Sequence, residues 1–142
     1  MTWKQASRRV GVLLWTVALL GCSAMGGQRA DNAGSSQVWG GRDVSMEMTA
    51  EGATLEFDCA HGAITQPIKP NAKGDFSVPG TYTPERGGPV QKNNSPRDLP
   101  AVYKGSSDGD NMHLEVMLTD RDQALPPFSL TRGKIGRLVK CR

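Results

Sequence analysis

Beyond residue 38 the chain alternates apolar and polar side chains at period two, and helical stripes are absent. Val44, Met46 and Met48 alternate with Ser45, Glu47 and Thr49, and Glu51-Gly52 then reads as a hairpin turn. Ala53, Leu55, Phe57 and Cys59 follow, alternating with Thr54, Glu56 and Asp58. A third strand is expected over residues 63–69, broken or ended by Pro67 and Pro70. Residues 75–82 predict a fourth, with Phe76 and Val78 inward and a bulge or bend at Pro79-Gly80. Residues 101–106 and 112–120 form the clearest pair, joined by the turn Asp108-Gly109-Asp110-Asn111. In the second of these, Met112, Leu114, Val116 and Leu118 share one face, while His113, Glu115 and Thr119 share the other. Phe128 and Leu130 resume the alternation, and residues 135–141 complete the set. Together these segments predict an all-β domain, an antiparallel meander of about eight strands closing into a small barrel. Closure removes the unpaired edges that an open meander would leave.

One stretch falls outside this scheme. Residues 84–100 hold four prolines and two glycines. Loops of that length in compact domains are either functional or disordered. At its start Tyr82, Glu85, Arg86, Gly87 and Gly88 place an aromatic, an acid and a base beside glycines, which makes this corner the candidate binding loop. The bland counterpart is a corner whose Glu85 and Arg86 pair with each other.

The N-terminus follows different rules. Lys4, Arg8 and Arg9 precede an uncharged run over residues 10–21, too short for a spanning helix, which needs about 20 residues. The run ends in Leu19-Leu20-Gly21-Cys22, which resembles the lipobox of bacterial lipoproteins. That resemblance implies a signal peptide over residues 1–21 and acylation of Cys22. Several acyl chains are needed for a lasting anchor, since one alone holds only marginally. Ser7-Arg8-Arg9-Val10 also looks like the start of a twin-arginine signal, but Gly11 and Val12 replace the Phe and Leu usual there. Ser23 after Cys22, in place of Asp, leans towards the outer membrane. Residues 22–37, rich in Gly, Ser, Ala, Asn and Gln, read as a flexible tether reaching roughly 20 Å. The folded domain is expected over residues 38–142.

Charge and cysteine content change meaning once the signal is set aside. The chain holds 17 Lys and Arg against 14 Asp and Glu, but three of the bases and none of the acids precede Cys22. The mature chain is therefore balanced, and nucleic-acid binding through a basic field loses its motivation. Two cysteines remain, Cys59 and Cys141. In an oxidising compartment they are expected to pair rather than to bind metal, because no Cys-x-x-Cys spacing or third soft ligand accompanies them.

Other candidate chemistry is thin. His61 and His113 have no ligand motif around them and read as turn and surface residues. Met46, Met48, Met112 and Met117 suggest thioether binding of Cu(I), yet three of them fall on inward faces, where Met fills gaps. The Asp108–Asn111 segment lacks the closing Glu of a calcium loop. There is no Gly-x-Ser-x-Gly, and Glu85 and Asp98 are paired carboxylates only if the loop brings them together. No catalytic residue, metal or cofactor is expected. Beyond Asp122 there are no acids, while Arg132, Lys134, Arg137, Lys140 and Arg142 accumulate. That basic edge suits anionic lipid, peptidoglycan or an acidic partner, or else charged protection of an exposed strand.

The segments Trp39-Gly40-Gly41, Phe57-Asp58-Cys59-Ala60-His61-Gly62, Gly80-Thr81-Tyr82, Glu85-Arg86-Gly87-Gly88-Pro89 and Leu138-Val139-Lys140-Cys141 resemble a group of small bacterial secreted proteins and lipoproteins. The resemblance brings no activity with it. In architecture the chain is similar to avidin-like and lipocalin-like barrels, which bind ligands at an open end. It also resembles the lipoprotein inhibitors of lysozyme, although their Ser-Gly-x-x-Tyr is replaced by Ser77-Val78-Pro79-Gly80-Thr81-Tyr82. These comparisons lead first to a non-catalytic envelope lipoprotein that binds a small ligand or an envelope protein. The alternative is an inhibitor of a cell-wall hydrolase or protease acting through residues 84–100, and an enzyme ranks third.

Overall fold

The computed structural model describes residues 36–88 and 96–141. The expected signal peptide, Cys22 and nearly all of the expected tether lie outside them. The strands are β1 (Gln37–Gly41), β2 (Val44–Met48), β3 (Ala53–Phe57), β4 (Ala60–Ile64), β5 (Asp75–Pro84), β6 (Leu99–Ser107), β7 (Asn111–Leu118), β8 (Gln123–Ala124) and β9 (Phe128–Arg132), and there is no helix among the described residues. From β1 to β7 each strand pairs antiparallel with the next. β9 pairs with β7 on one side and β1 on the other, which closes an eight-stranded barrel. β8 is an extra two-residue strand on the same edge of β7 as β9. Between them Leu125–Pro127 oppose only Glu115 and Val116, a one-residue bulge where two prolines cannot donate to the ladder.

Alternation decides what lies inside. β3 and β7 bury every second residue, and the interior holds Trp39, Val44, Met46, Leu55, Tyr103, Leu114, Val116 and Leu130, each at most 2% exposed. Large side chains therefore fill the barrel from wall to wall, as expected for a small eight-stranded barrel. Tyr103 crosses this interior, and its hydroxyl donates to Thr81 O at 2.6 Å. Its ring and hydroxyl occupy the space that side chains at Gly62 and Gly80 would take. The Trp39 indole N–H is buried without a hydrogen-bond partner among the described residues, and the Arg132 guanidinium lies 4.9 Å from its ring centroid.

Several local expectations need correction. The third strand is Ala60–Ile64 rather than residues 63–69, because Asp58-Cys59 forms the tight turn and the prolines keep residues 65–74 irregular. Cys59 therefore sits in a turn and not on the inward face of β3. No bulge occurs at Pro79-Gly80, since β5 pairs with β6 in one continuous register from Asp75 to Tyr82. Pro79 is tolerated because β4 pairs with β5 only from Thr81 onward, leaving that stretch of β5 without a ladder on its other side.

The largest correction concerns residues 135–141, which form no strand. Their one ladder contact is an isolated parallel bridge between Arg137 and Arg42. After β9 the chain turns at Gly133 (φ 71°), whose amide donates to Val38 O at 2.7 Å. It then crosses the outside of the barrel as a strap over β1, β2 and β3. Arg137 N donates to Gly41 O at 2.9 Å and Asp43 N donates to Arg137 O at 3.0 Å. The strap lies close because Gly40 carries no side chain where Lys134 O, Ile135 and Gly136 pass. It ends at Cys141, bonded to Cys59 with Cα atoms 5.1 Å apart, so the expected disulfide ties the strap to the β3–β4 turn.

Candidate functional site

Three surface features surround the filled core. The first is the ionic cluster beside the disulfide. Cross-strand pairing sets Glu56 opposite His61 and His61 opposite Thr83, all on the outer face. Glu85 follows the end of β5, and its amide donates to Cys59 O at 2.8 Å. Its carboxylate lies 2.9 Å from His61 Nδ1 and 3.4 Å from Lys140 Nζ, and Lys140 also donates to Glu56 at 2.6 Å. Asp58 accepts from Val139 N at 2.9 Å. The cluster therefore pins the strap to the wall through charge as well as sulfur.

These contacts shift two groups in opposite directions. The bond from His61 holds the Glu85 carboxyl below its usual value despite partial burial, with Lys140 adding to the effect. Burial pulls the Lys140 ammonium down, but Glu56 and Glu85 together outweigh it and raise its value. A carboxyl depressed in the folded state stabilises above its unfolded value, 4.5, and loses that contribution as pH falls through the lower folded value. Glu85→Gln is thus expected to weaken the fall in melting temperature below about pH 4.5 and to cost less than about 1 kcal/mol at neutral pH, because the cluster is partly exposed. Thermal melts across pH at low salt test this. An acid limb identical to that of the parent protein would contradict it.

The second feature is the barrel mouth at the same end. Tyr82 points inward here, with its ring 5.4 Å from Phe57, which in turn lies 5.1 Å from Phe128. Partial burial raises the Tyr82 phenol above its ordinary value. The candidate binding loop is accordingly divided. Tyr82 packs into the mouth, Glu85 joins the outer cluster, and Arg86, Gly87 and Gly88 are exposed. Glu85 pairs with His61 and Lys140 rather than with Arg86. Asp98 accepts the buried Thr83 hydroxyl at 2.5 Å, so Glu85 and Asp98 have separate partners. Residues 89–95 of the proline-rich loop lie outside the described residues.

The third feature was not anticipated from sequence. On the outer wall of β6 and β7, beside β8, lies a groove of about 250 Å³ lined by Val102, Lys104, Glu115, Met117, Leu125 and Pro127 among others. Val102 pairs with Met117 and Lys104 with Glu115 across the two strands, giving an apolar floor with one charge of each sign at its edge. The available signal was Met117, an apolar residue on the otherwise polar face of its strand. Met46 and Met112 are buried in the core and Met48 packs against it, so the methionines do not converge on one surface.

The remaining motifs are structural. Asp108 Oδ1 accepts Asn111 N at 2.9 Å, and Gly109 takes a positive φ of 106°, which makes this segment a hairpin turn. His113 lies 3.5 Å from Glu115 on the polar face of β7. Among the described residues no group of His, Cys, Asp and Glu is arranged to hold a metal ion. Comparison with protein-family models, with curated proteins and with solved structures gives no match for this chain.

Proposed function

We propose that this protein is an exported envelope lipoprotein, held at the outer membrane by acyl chains on Cys22, whose barrel acts without catalysis by binding a partner protein on its outer wall. The lipobox-like Leu19-Leu20-Gly21-Cys22 supports the anchor. The observation that carries the binding mode is the filled interior. With Trp39, Tyr103, Met46 and Leu55 all at most 2% exposed, the barrel axis holds side chains where a hollow barrel would hold a ligand. The groove floored by Val102 and Met117 offers the alternative, a shallow apolar surface with a polar rim, which suits protein contact.

The inhibitor reading draws no comparable support. Its motif is absent, and Tyr82, the aromatic nearest to it, is packed on Phe57 in the mouth.

Native mass spectrometry of the mature chain, released from the envelope, tests the binding mode. A mass equal to the chain with its acyl groups and one disulfide is expected, whereas a retained small molecule would overturn the surface reading. The anchor has its own test. Cys22→Ser is expected to abolish incorporation of a palmitate analogue and to release the protein from the membrane fraction. Unlabelled wild-type protein would refute acylation.

A further inference from the structure

Strand register orders the outer wall beside β8 further. Pro79, Val102, Met117 and Ala124 fall in one row across β5, β6, β7 and β8, apolar at every position. The adjacent row sets Ser77, Lys104 and Glu115 side by side. Lys104 and Glu115 are cross-strand neighbours, yet among the described residues Lys104 has no ion pair, and Glu115 lies 3.5 Å from His113 instead. Charge is sorted at the strand ends too. Asp98 is held by the Thr83 hydroxyl, and Asp120 lies 3.9 Å from Arg121. That leaves Arg97 and Lys104 on the β6 side, with Glu115 and Asp122 on the β7 side. Asp75 stands at the far edge on β5, where Asn71 donates to it at 3.4 Å.

We infer that this wall docks on the same wall of a second copy of the chain, about a two-fold axis running along the strands between β6 and β7. This rests on the outer-wall binding reading above and names the partner for it. An isologous contact requires a patch that is its own complement. Rotation about this axis sets each β6 position on its β7 cross-strand partner in the other copy. Val102 then meets Met117, Pro79 meets Ala124 and Lys104 meets Glu115, each of them twice. An axis across the strands would instead set Lys104 on Pro100 and Glu115 on Thr119, with no opposite charge for either. Asp108 and Asp110 in the hairpin turn lie roughly 13 Å beyond Lys104 along the strand, where the twist of two facing sheets carries them apart.

The anchored topology agrees with the same axis. Rotation along the strands keeps the start of β1 at the same end in both copies, so both tethers leave towards one bilayer. Four strands about 4.8 Å apart and a β6 of nine residues, at about 3.3 Å each, give a face of roughly 19 by 30 Å. That approaches the roughly 600 Å² per partner of a small specific interface. Confinement of two anchored chains to one membrane raises their effective concentration and favours such a contact.

Charge exchange in the mature lipoprotein tests this, read as oligomeric mass by sedimentation in density-matched detergent at micromolar protein. The parent is expected as a dimer, with the per-chain mass given above present twice. Lys104→Glu or Glu115→Lys alone creates two like-charge contacts across the axis and should weaken the dimer at least about tenfold. Both substitutions in one chain should restore it. Mixing the two single variants should give a heterodimer as tight as the parent, since every contact across the axis is then opposite in sign. Rescue in the mixture also rules out misfolding as the cause of the loss. A monomeric parent, single variants that dimerise like the parent, or a mixture that stays monomeric overturns the inference. A photo-cross-linking residue in place of Met117, in intact cells, separates it from the broader reading. An adduct of two identical chains upholds the second copy. An adduct with another protein overturns it and leaves outer-wall binding standing, whereas no adduct refutes both.

Discussion

Replacing both Cys59 and Cys141 by serine is expected to lower stability by about 3–5 kcal/mol, which in a domain of this size is a fall in melting temperature of at least about 12 °C. The bridge joins residues 82 apart, and closing so long a loop removes much of the unfolded chain's freedom. The chain-entropy value, about 4–5 kcal/mol, is an upper figure here. The strap contributes few buried side chains, and Val139 is largely exposed, so the reduced native protein regains entropy by releasing residues 134–141. Barrel closure does not depend on the strap, because β9 pairs with β1 and β7 directly. The variant should therefore still fold, with Trp39 buried and its emission blue-shifted at room temperature. A loss below about 5 °C would show that the bridge constrains little in the unfolded state.

Tyr103→Ala is the second large effect, a loss of about 3–5 kcal/mol from the cavity left in the barrel interior. The finer test is a cycle with Gly62. A side chain at Gly62 would meet the Tyr103 hydroxyl and would lie 3.1 Å from Thr81 O, so Gly62→Ala forces the phenol aside and costs about 1–3 kcal/mol. Tyr103→Phe alone loses the bond to Thr81 O, about 1–2 kcal/mol. In the double variant the obstructing oxygen is gone, so Gly62→Ala should cost at least about 0.5 kcal/mol less than in the parent. Additive costs in chemical denaturation would mean that the clash is relieved elsewhere.

The same tyrosine fixes the alkaline limb. Burial, with a smaller contribution from Tyr82, raises the Tyr103 phenol well above its ordinary value of 10.0. The unfolded chain then loses this proton first, so stability falls as pH rises above about 10, and Tyr103→Phe should flatten that fall.

Much of the fold was legible from one-dimensional pattern. The period-two runs at residues 44–48, 53–57 and 112–118 became β2, β3 and β7 with the expected faces inward. Among the described residues, an eight-stranded barrel with no helix follows from that alternation and from turn residues such as Asp108-Gly109, because each face of a small sheet must be either buried or wet. The cysteine count anticipated the disulfide, and Pro67 and Pro70 marked where a strand could not continue. The lipobox-like end at Cys22 remains a sequence inference, now part of the proposed function.

Tertiary structure alone decided the rest. Residues 135–141 alternate like a strand, yet the ring was already closed by β9, so no edge remained for them to join as a full strand. They became a strap, and that placement put Ile135 and Val139 outside and Cys141 against a turn. Tyr82 and Glu85 are three residues apart in the candidate loop, but the strand end sends one into the mouth and the other to Lys140 on the wall. Whether the barrel is hollow depends on how side chains such as Tyr103 and Trp39 cross the axis over facing glycines. Local alternation fixes which way a side chain points, and only the closed ring determines what it meets there.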